Sequence, residues 1–220
     1  MRKRFILAMM ALAVIGLLVG GFTAYETVDA RASAQAVSDT APVMDFFDHN
    51  DVLIMNPKKR GTSDLVRTVD GASVNIDTVD LPVGATSIWW IIFNNPSGCS
   101  DGECGMNDVL PPPGTAEAAV SVAWATGGIV GPDRMGHFSA SLGIGAEAAP
   151  GQLLWGDGLT NPFGAEIHIE VRYHGPAEWD NPPLLHAQMT NVGGNCTPES
   201  FGTDPNGFSC YGSQATVHKP

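Results

Sequence analysis

Residues 165–174 read Ala-Glu-Ile-His-Ile-Glu-Val-Arg-Tyr-His. Apolar and polar residues alternate along this stretch with a period of two, and such a period sends successive side chains to opposite faces of a β-strand. We predict a strand whose apolar face points into a core. Its other face is predicted to be a solvated row of polar side chains, namely Glu166, His168, Glu170, Arg172 and His174.

Similar short segments recur along the chain and are separated by clusters of Gly, Pro, Asn and Asp. No helical period is long enough to predict a helix after the N-terminal segment. About eight strands at this spacing predict an all-β fold, a single antiparallel β-sandwich. We assign residues 63–220 to the sandwich domain and residues 37–62 to a lead-in that holds the first strand. The further predicted strands are residues 52–55, 72–79, 87–93, 118–126, 137–144, 184–190 and 214–218.

Segment 87–93 differs from the other predicted strands because it is apolar on both faces. Ile88, Trp90 and Ile92 share one face, and Trp89, Ile91 and Phe93 share the other. Such a strand is either central and covered on both sides, or it presents one face to a partner.

The N-terminus has the features of a signal sequence. Three basic residues precede the apolar run 5–22, and small residues follow it. This order predicts a signal peptide over residues 1–36, with cleavage favoured after Ala36 and with Ala30 and Ala34 as alternatives. A retained membrane anchor is the competing interpretation, because the apolar run reaches the lower length limit of a spanning helix. The rest of the chain is predicted to be extracytoplasmic, that is secreted, periplasmic or at the cell surface.

The charge balance excludes some classes of partner. The chain has 11 basic and 23 acidic residues, and loss of residues 1–36 removes four of the basic and two of the acidic ones, leaving a net charge of −14. Nucleic acids and anionic membrane surfaces need a basic partner, so neither is expected to bind. A cation, or a protein or polysaccharide partner at the cell surface, remains open.

The four cysteines predict disulfides, because an exported chain passes through an oxidising compartment. Three pairings are open, and the short separations favour the local pairs Cys99 with Cys104 and Cys196 with Cys210. A zinc site of four thiolates is the alternative, although such sites typically have short spacings in both cysteine pairs, and these are not present on both sides here.

The polar row of residues 166–174 also permits a metal site. Histidine and glutamate at alternate strand positions lie on one face and can bind a divalent metal. His168 and His174 are the first candidate ligands, with Glu170 beside them and with His137, His186 or His218 supplied by neighbouring strands. A solvated strand face without any cofactor is the simpler interpretation.

Tryptophans raise the question of sugar binding, because an exposed aromatic face can stack on a sugar ring. Trp89, Trp155 and Trp179 are the candidates for a carbohydrate-binding surface, whereas the strand pattern places Trp124 in a core. Packing in a core is the alternative for all of them.

Catalytic motifs are not evident in the sequence. It lacks a Gly-x-Ser-x-Gly nucleophile motif and a glycine-rich phosphate loop, and its cysteines are expected to be oxidised. The sequence therefore leaves catalytic activity open while favouring a protein that is not an enzyme, and any enzyme activity would need an unusual site.

Two local resemblances complete the sequence evidence. The segments Ala165-Glu166-Ile167-His168 and His174-Gly175-Pro176-Ala177 resemble the signature of the chordin-type (CHRD) domain, which implies an extracellular β-sandwich module. The Trp89-Trp90 strand followed by Cys99 is similar to uncharacterised exported bacterial proteins. We expect a secreted or cell-surface binding or structural module. A metal-binding protein or metal-dependent enzyme is the alternative, and a carbohydrate-binding module is a second one.

Overall fold

A computed structural model describes residues 36–50, 52–111, 114–145, 153–194, 196, 202–203 and 209–220. The predicted signal sequence lies outside these residues, except for Ala36. Among the helices that the structure describes, none is long and apolar enough to cross a membrane.

The described residues form ten strands and little helix, which confirms the all-β class. The described part of the chain has two helices, α1 (Met106–Val109) and α2 (Pro182–Thr190), and two single turns of 3-10 helix precede α1. The strands are β1 (Val37–Asp45), β2 (Lys59–Thr68), β3 (Gly71–Thr78), β4 (Gly84–Phe93), β5 (Val120–Val130), β6 (Gly136–Gly143), β7 (Leu153–Trp155), β8 (Glu166–Tyr173), β9 (Gly202–Thr203) and β10 (Ser209–His218).

The strands belong to one curled antiparallel sheet. Nine of them follow the order β6-β3-β2-β1-β10-β8-β4-β5-β7, and the two-residue β9 pairs with β10. The expected sandwich would have two separately hydrogen-bonded sheets. Here continuous pairing links the two halves, and the sheet curls until β5 approaches β6. A twisted sheet of this many strands curls because the twist of each strand pair accumulates.

The concave face of the sheet encloses the main core. Because side chains alternate along each strand, every second residue of the strands around it points inward. Leu65, Ile76, Trp90, Phe138 and Ile169 are examples, and each is at most 9% exposed. The predicted inward residues of β8, namely Ile167, Ile169, Val171 and Tyr173, are all buried.

The convex face of β4 carries a second, smaller apolar cluster. Trp89, Ile91 and Phe93 pack there against Val109 and Val122, beneath the connection between β4 and β5. Strand β4 is buried along its whole length and lies between β8 and β5. Of the two alternatives for residues 87–93, the structure thus shows a central strand covered on both sides. We call this second group of residues the outer cluster.

The strand predicted at residues 52–55 is not formed. Leu53 makes only an isolated bridge with Phe47 and is half exposed. The first strand is instead β1, which lies between β2 and β10. Val52 and Ile54 share backbone hydrogen bonds with Asp48 and Phe46, but these contacts do not extend into a paired strand, and a short apolar run alone does not define one.

The strand predicted at residues 184–190 is also wrong, because this segment belongs to helix α2. Asn181 caps the helix, since its side chain accepts a hydrogen bond from the Leu184 N–H, and Pro182 occupies the first turn. Both features are helix-start signals. The Asn-Pro-Pro sequence was therefore the local evidence for a helix.

Candidate functional site

The polar row on β8 is covered, so the prediction of a solvated face is wrong. Residues on the convex side of β8 remain buried: Glu170 is 9% exposed, Arg172 1% and His174 not at all. The cover comes from the loop that carries Cys99 and Cys104, from α1 and from the segment around α2. Strand alternation identifies the face on which a residue lies but not whether another segment covers that face.

A cleft of about 320 Å³ opens on the convex side of the sheet. Strands β1, β10, β8 and β4 form its floor, and the Cys104–Val109 segment forms one wall. We call it the outer cleft. Its apolar lining includes Met44, Phe46, Ile91, Phe93, Met106, Val109, Ala215 and Val217, and its polar lining includes Asp45, His168 and Glu170.

His168 reaches the outer cleft in contact with a carboxylate and an aromatic ring. Its Nε2 lies 2.7 Å from Oε1 of Glu166, and its ring centroid lies 4.9 Å from that of Phe93. Glu166 is 7% exposed. The pair places a polar hydrogen-bonding group in a mostly apolar cleft.

Glu170 and Arg172 form a buried ion pair next to this cleft. The Arg172 Nη1 donates to Oε1 of Glu170 over 3.0 Å, and its Nε donates to the carbonyl of Val192 over 2.9 Å. Glu170 lines both the outer cleft and a smaller cavity of about 70 Å³ that Arg172 also lines. Separating the two side chains would leave each buried charge without its partner. Because that is costly, the pair is expected to stay together.

Gly212 leaves the space that the Glu170 carboxylate occupies. A Cβ at this position would lie 2.3 Å from Oε1 of Glu170. Strand β10 has a register irregularity between Gly212 and Gln214, where it pairs with β8. The bulge and the missing side chain together admit the carboxylate.

We predict that Gly212→Ala destabilises the protein by about 1–3 kcal/mol, because an added methyl group in a packed site forces neighbouring atoms to move. Urea unfolding measures the change. Gly105→Ala is the matched control, since Gly105 also lines the outer cleft but a Cβ added there would meet no atom of the described residues within 4 Å. Equal effects of the two substitutions would contradict the steric explanation.

Asp108 organises the wall of the outer cleft. Its carboxylate accepts hydrogen bonds from the backbone N–H groups of Ser100 at 2.7 Å and Gly105 at 3.0 Å. Burial by itself raises the pKa of Asp108, but the hydrogen bonds from Ser100 and Gly105 outweigh it and lower the pKa. The charged carboxylate therefore holds the loop in its folded form.

Both local disulfides are present. Cys99 and Cys104 are joined with their Cα atoms 5.0 Å apart, and Cys196 and Cys210 with theirs 6.1 Å apart. These are the pairs that the sequence favours, and such bonds fit an oxidising, extracytoplasmic compartment. The first disulfide closes the loop at the outer cleft, and the second lies beside His174.

The predicted metal ligands do not come together. His168 contacts Glu166, whereas His174 lies six residues further along the strand, a separation of roughly 20 Å. His137 pairs with Asp77 on the surface, and His186 lies on α2 near Thr190. Within the described part of the chain, one group of three donor side chains lies within 4.8 Å, namely His174, Cys196 and Cys210.

His174 is enclosed at the end of the polar row. Its Nε2 lies 2.7 Å from the hydroxyl of Ser87, which also accepts a hydrogen bond from the indole N–H of Trp89. Burial, together with the nearby charge of Arg172, lowers the pKa of His174 to about 3. Its Nδ1 has no hydrogen-bond partner among the residues that the structure describes.

The three candidate tryptophans lie in different surroundings. Trp89 is 3% exposed in the outer cluster, and Trp155 is partly buried beside it. Both line the smaller cavity. Trp179 is 67% exposed before α2, and Trp124 packs against the outer cluster while donating its indole N–H to the carbonyl of Met189.

Sequence reasoning missed a buried Ser-His-Asp chain. The Ser63 hydroxyl lies 2.8 Å from Nε2 of His218, and Nδ1 of His218 lies 2.7 Å from Oδ2 of Asp39. The connectivity is that of a catalytic triad. However, Ser63 and His218 have no exposed surface, so a substrate cannot reach the hydroxyl in this structure. The chain of hydrogen bonds instead joins β1, β2 and β10. Because Asp39, Ser63 and His218 are far apart in sequence, they form no motif that sequence reasoning could detect.

Comparison with known proteins gives no match to a family model, to a curated protein or to a solved structure. The resemblance to the chordin-type domain therefore stays a prediction.

Proposed function

We propose that this chain is an exported all-β binding module and that the outer cleft holds a small, mostly apolar ligand. The observation that carries the proposal is the cleft itself, which has an apolar lining and a few polar groups at its floor. Ligand sites of proteins have this composition.

The size of the outer cleft limits the ligand. Its volume of about 320 Å³ is at the small end of the range for ligand pockets, which is roughly 300–1,000 Å³. An aromatic or short aliphatic molecule fits this volume better than an oligosaccharide does. The two methionines in the lining, Met44 and Met106, adapt easily to different ligand shapes.

The charges near the cleft favour an uncharged or cationic ligand over an anionic one. Glu166, Glu170 and Asp45 are acidic, and the guanidinium groups of Arg172 and Arg60 already pair with Glu170 and Asp45. The large negative net charge of the chain acts in the same direction. An amine or hydroxyl on the ligand would meet Glu170 or His168.

The proposal also includes export of the protein and a sandwich-like arrangement of its sheet. The N-terminal sequence pattern and the two disulfides support a secreted or cell-surface protein. Residues from both halves of the curled sheet contribute to the main core, which supports a sandwich-like arrangement. The resemblance to the chordin-type domain likewise implies an extracellular β-sandwich module.

We predict saturable binding of an uncharged apolar fluorophore, N-phenyl-1-naphthylamine, at one site per chain. Ala215 lines the outer cleft on β10, directly opposite Glu170. Ala215→Phe fills the cleft and is expected to weaken binding at least about tenfold, because the new ring competes for the ligand volume. Fluorescence titration measures both dissociation constants.

Val83→Phe is the matched control, since Val83 is 48% exposed in the turn before β4 and is not among the residues lining the cleft. It should leave binding unchanged. The proposal fails if the fluorophore does not bind, or if it binds the Ala215→Phe and Val83→Phe variants equally well.

A further inference from the structure

We infer that the Cys196–Cys210 disulfide masks a zinc site: when a dithiol reduces it, the two thiolates and Nδ1 of His174 bind one Zn²⁺. The three donor atoms already lie within 4.8 Å of one another. This site is distinct from the outer cleft, and its existence does not depend on the proposed ligand.

The unused nitrogen of His174 is the first independent observation. Nδ1 has no hydrogen-bond partner among the described residues, and the His174 side chain has no exposed surface. A buried polar atom without a partner is rare, because its desolvation is then uncompensated. A metal ion bound to Nδ1 would satisfy it.

Ser87 is the second observation. Metal-binding histidines usually donate their other ring N–H to a fixed acceptor, which sets the tautomer and the direction of the ring. The Ser87 hydroxyl lies 2.7 Å from Nε2 of His174 and is itself held by the Trp89 indole. The imidazole is thereby oriented toward the two sulfur atoms before any metal arrives.

The distances suit tetrahedral zinc. Zn–S bonds of about 2.3 Å and Zn–N bonds of about 2.0 Å place the donor atoms roughly 3.5–3.8 Å apart, so the two sulfur atoms must separate after their bond breaks, while Nδ1, already within 4.8 Å of them, needs a shift of at most about 1 Å. Two thiolates neutralise the charge of Zn²⁺, and a neutral imidazole adds none. The occupied site then avoids the cost of burying a net charge.

The redox step balances with a dithiol as the reductant. The disulfide accepts two electrons and two protons and becomes two thiols. The dithiol gives up two electrons and two protons and closes to its own disulfide. Zinc binding then releases the two thiol protons to solvent. One coordination position is left for a water molecule, because the protein supplies three ligands.

The test uses Zn²⁺ alone and the purified protein, fully reduced with dithiothreitol and then separated from it without oxygen. We expect one zinc per chain with a dissociation constant below about 1 µM, and no zinc in the oxidised protein. His174→Gln should weaken zinc binding more than about 100-fold, and Ser87→Ala by about 10- to 100-fold. Sulfur-to-metal charge-transfer bands with Co²⁺ would report two thiolate ligands.

Replacement of the other cysteine pair is the matched control. The Cys99→Ser/Cys104→Ser double variant should keep the site, whereas Cys196→Ser/Cys210→Ser should lose it. The inference is overturned if His174→Gln binds zinc as tightly as the unchanged chain, or if the first double variant loses the metal. Unfolding on reduction, seen by circular dichroism, would also overturn it, because only the folded strand places His174 beside the cysteines.

Discussion

Arg172→Met is expected to destabilise the protein by about 3–5 kcal/mol. The substitution keeps most of the side-chain volume but leaves Glu170 without the guanidinium that it contacts at 3.0 Å. Glu170 is 9% exposed, so water cannot fully replace the lost partner. A buried carboxylate without its cation must either stay charged at high cost or take up a proton. Urea unfolding at neutral pH measures the loss.

The double variant Glu170→Gln/Arg172→Met separates this effect from lost packing. Because it removes both charges, we expect it to recover a large part of the stability that Arg172→Met loses. Lys59→Met is the control for the change in net charge, since Lys59 is exposed at the start of β2. If the double variant is no more stable than Arg172→Met, the unpaired charge of Glu170 is not the cause.

Acidification below about pH 6.5 is expected to weaken the oxidised protein through His174. The folded-state pKa of about 3 lies below the ordinary value of 6.5, so the unfolded chain takes up the proton first as the pH falls. The contribution of His174 to stability is complete above pH 6.5, decreases between pH 6.5 and about pH 3, and does not change further below that range. The expected slope approaches about 1.4 kcal/mol per pH unit below about pH 5.5, which gives a loss of about 2 kcal/mol between pH 6.5 and about pH 4.5.

The free energy of unfolding at several pH values, measured with urea, tests this expectation. His174→Gln removes the titrating ring. Between pH 6.5 and about pH 4.5 this variant should therefore lose less stability than the unchanged chain, by the amount given above for His174. Burial also lowers the pKa of His218, although Asp39 acts in the opposite direction. Acidification therefore also reduces stability through His218, both in the unchanged chain and in His174→Gln. His137→Gln, a change at an exposed site, is the control. A His174→Gln profile parallel to that of the unchanged chain would contradict the assignment.

The proposed binding function and the proposed zinc site concern different ends of the same strand face. His168 and Glu170 contribute to the outer cleft, and His174 contributes to the group with Cys196 and Cys210. Arg172 lies between them and is held by Glu170 and by the Val192 carbonyl. Variants of Ala215 and His174 can therefore test the two sites separately.

Local pattern in the sequence was sufficient for the fold class and for most of the strands. The alternation at residues 165–174 corresponds to β8, with its apolar side in the main core, and the doubly apolar segment 87–93 corresponds to the central strand β4. Alternation has this predictive value because the direction of a side chain on a strand depends only on its position in the chain. The same rule failed at residues 184–190, where the capping residue Asn181 and two prolines start a helix.

The candidate sites, in contrast, were decided by tertiary structure. Whether the row from Glu166 to His174 meets water depends on segments outside the strand, including the distant loop that carries Cys99 and Cys104. Ser63 and Asp39 lie 155 and 179 positions from His218, their common partner. The approach of His174 to Cys196 and Cys210 also depends on the pairing of β8 with β10. By itself the sequence determined which side chains share a face of a strand, because that is a local property of the backbone. Only the packing of distant segments determined which faces are covered and which donor atoms meet, because burial and contact depend on the whole chain.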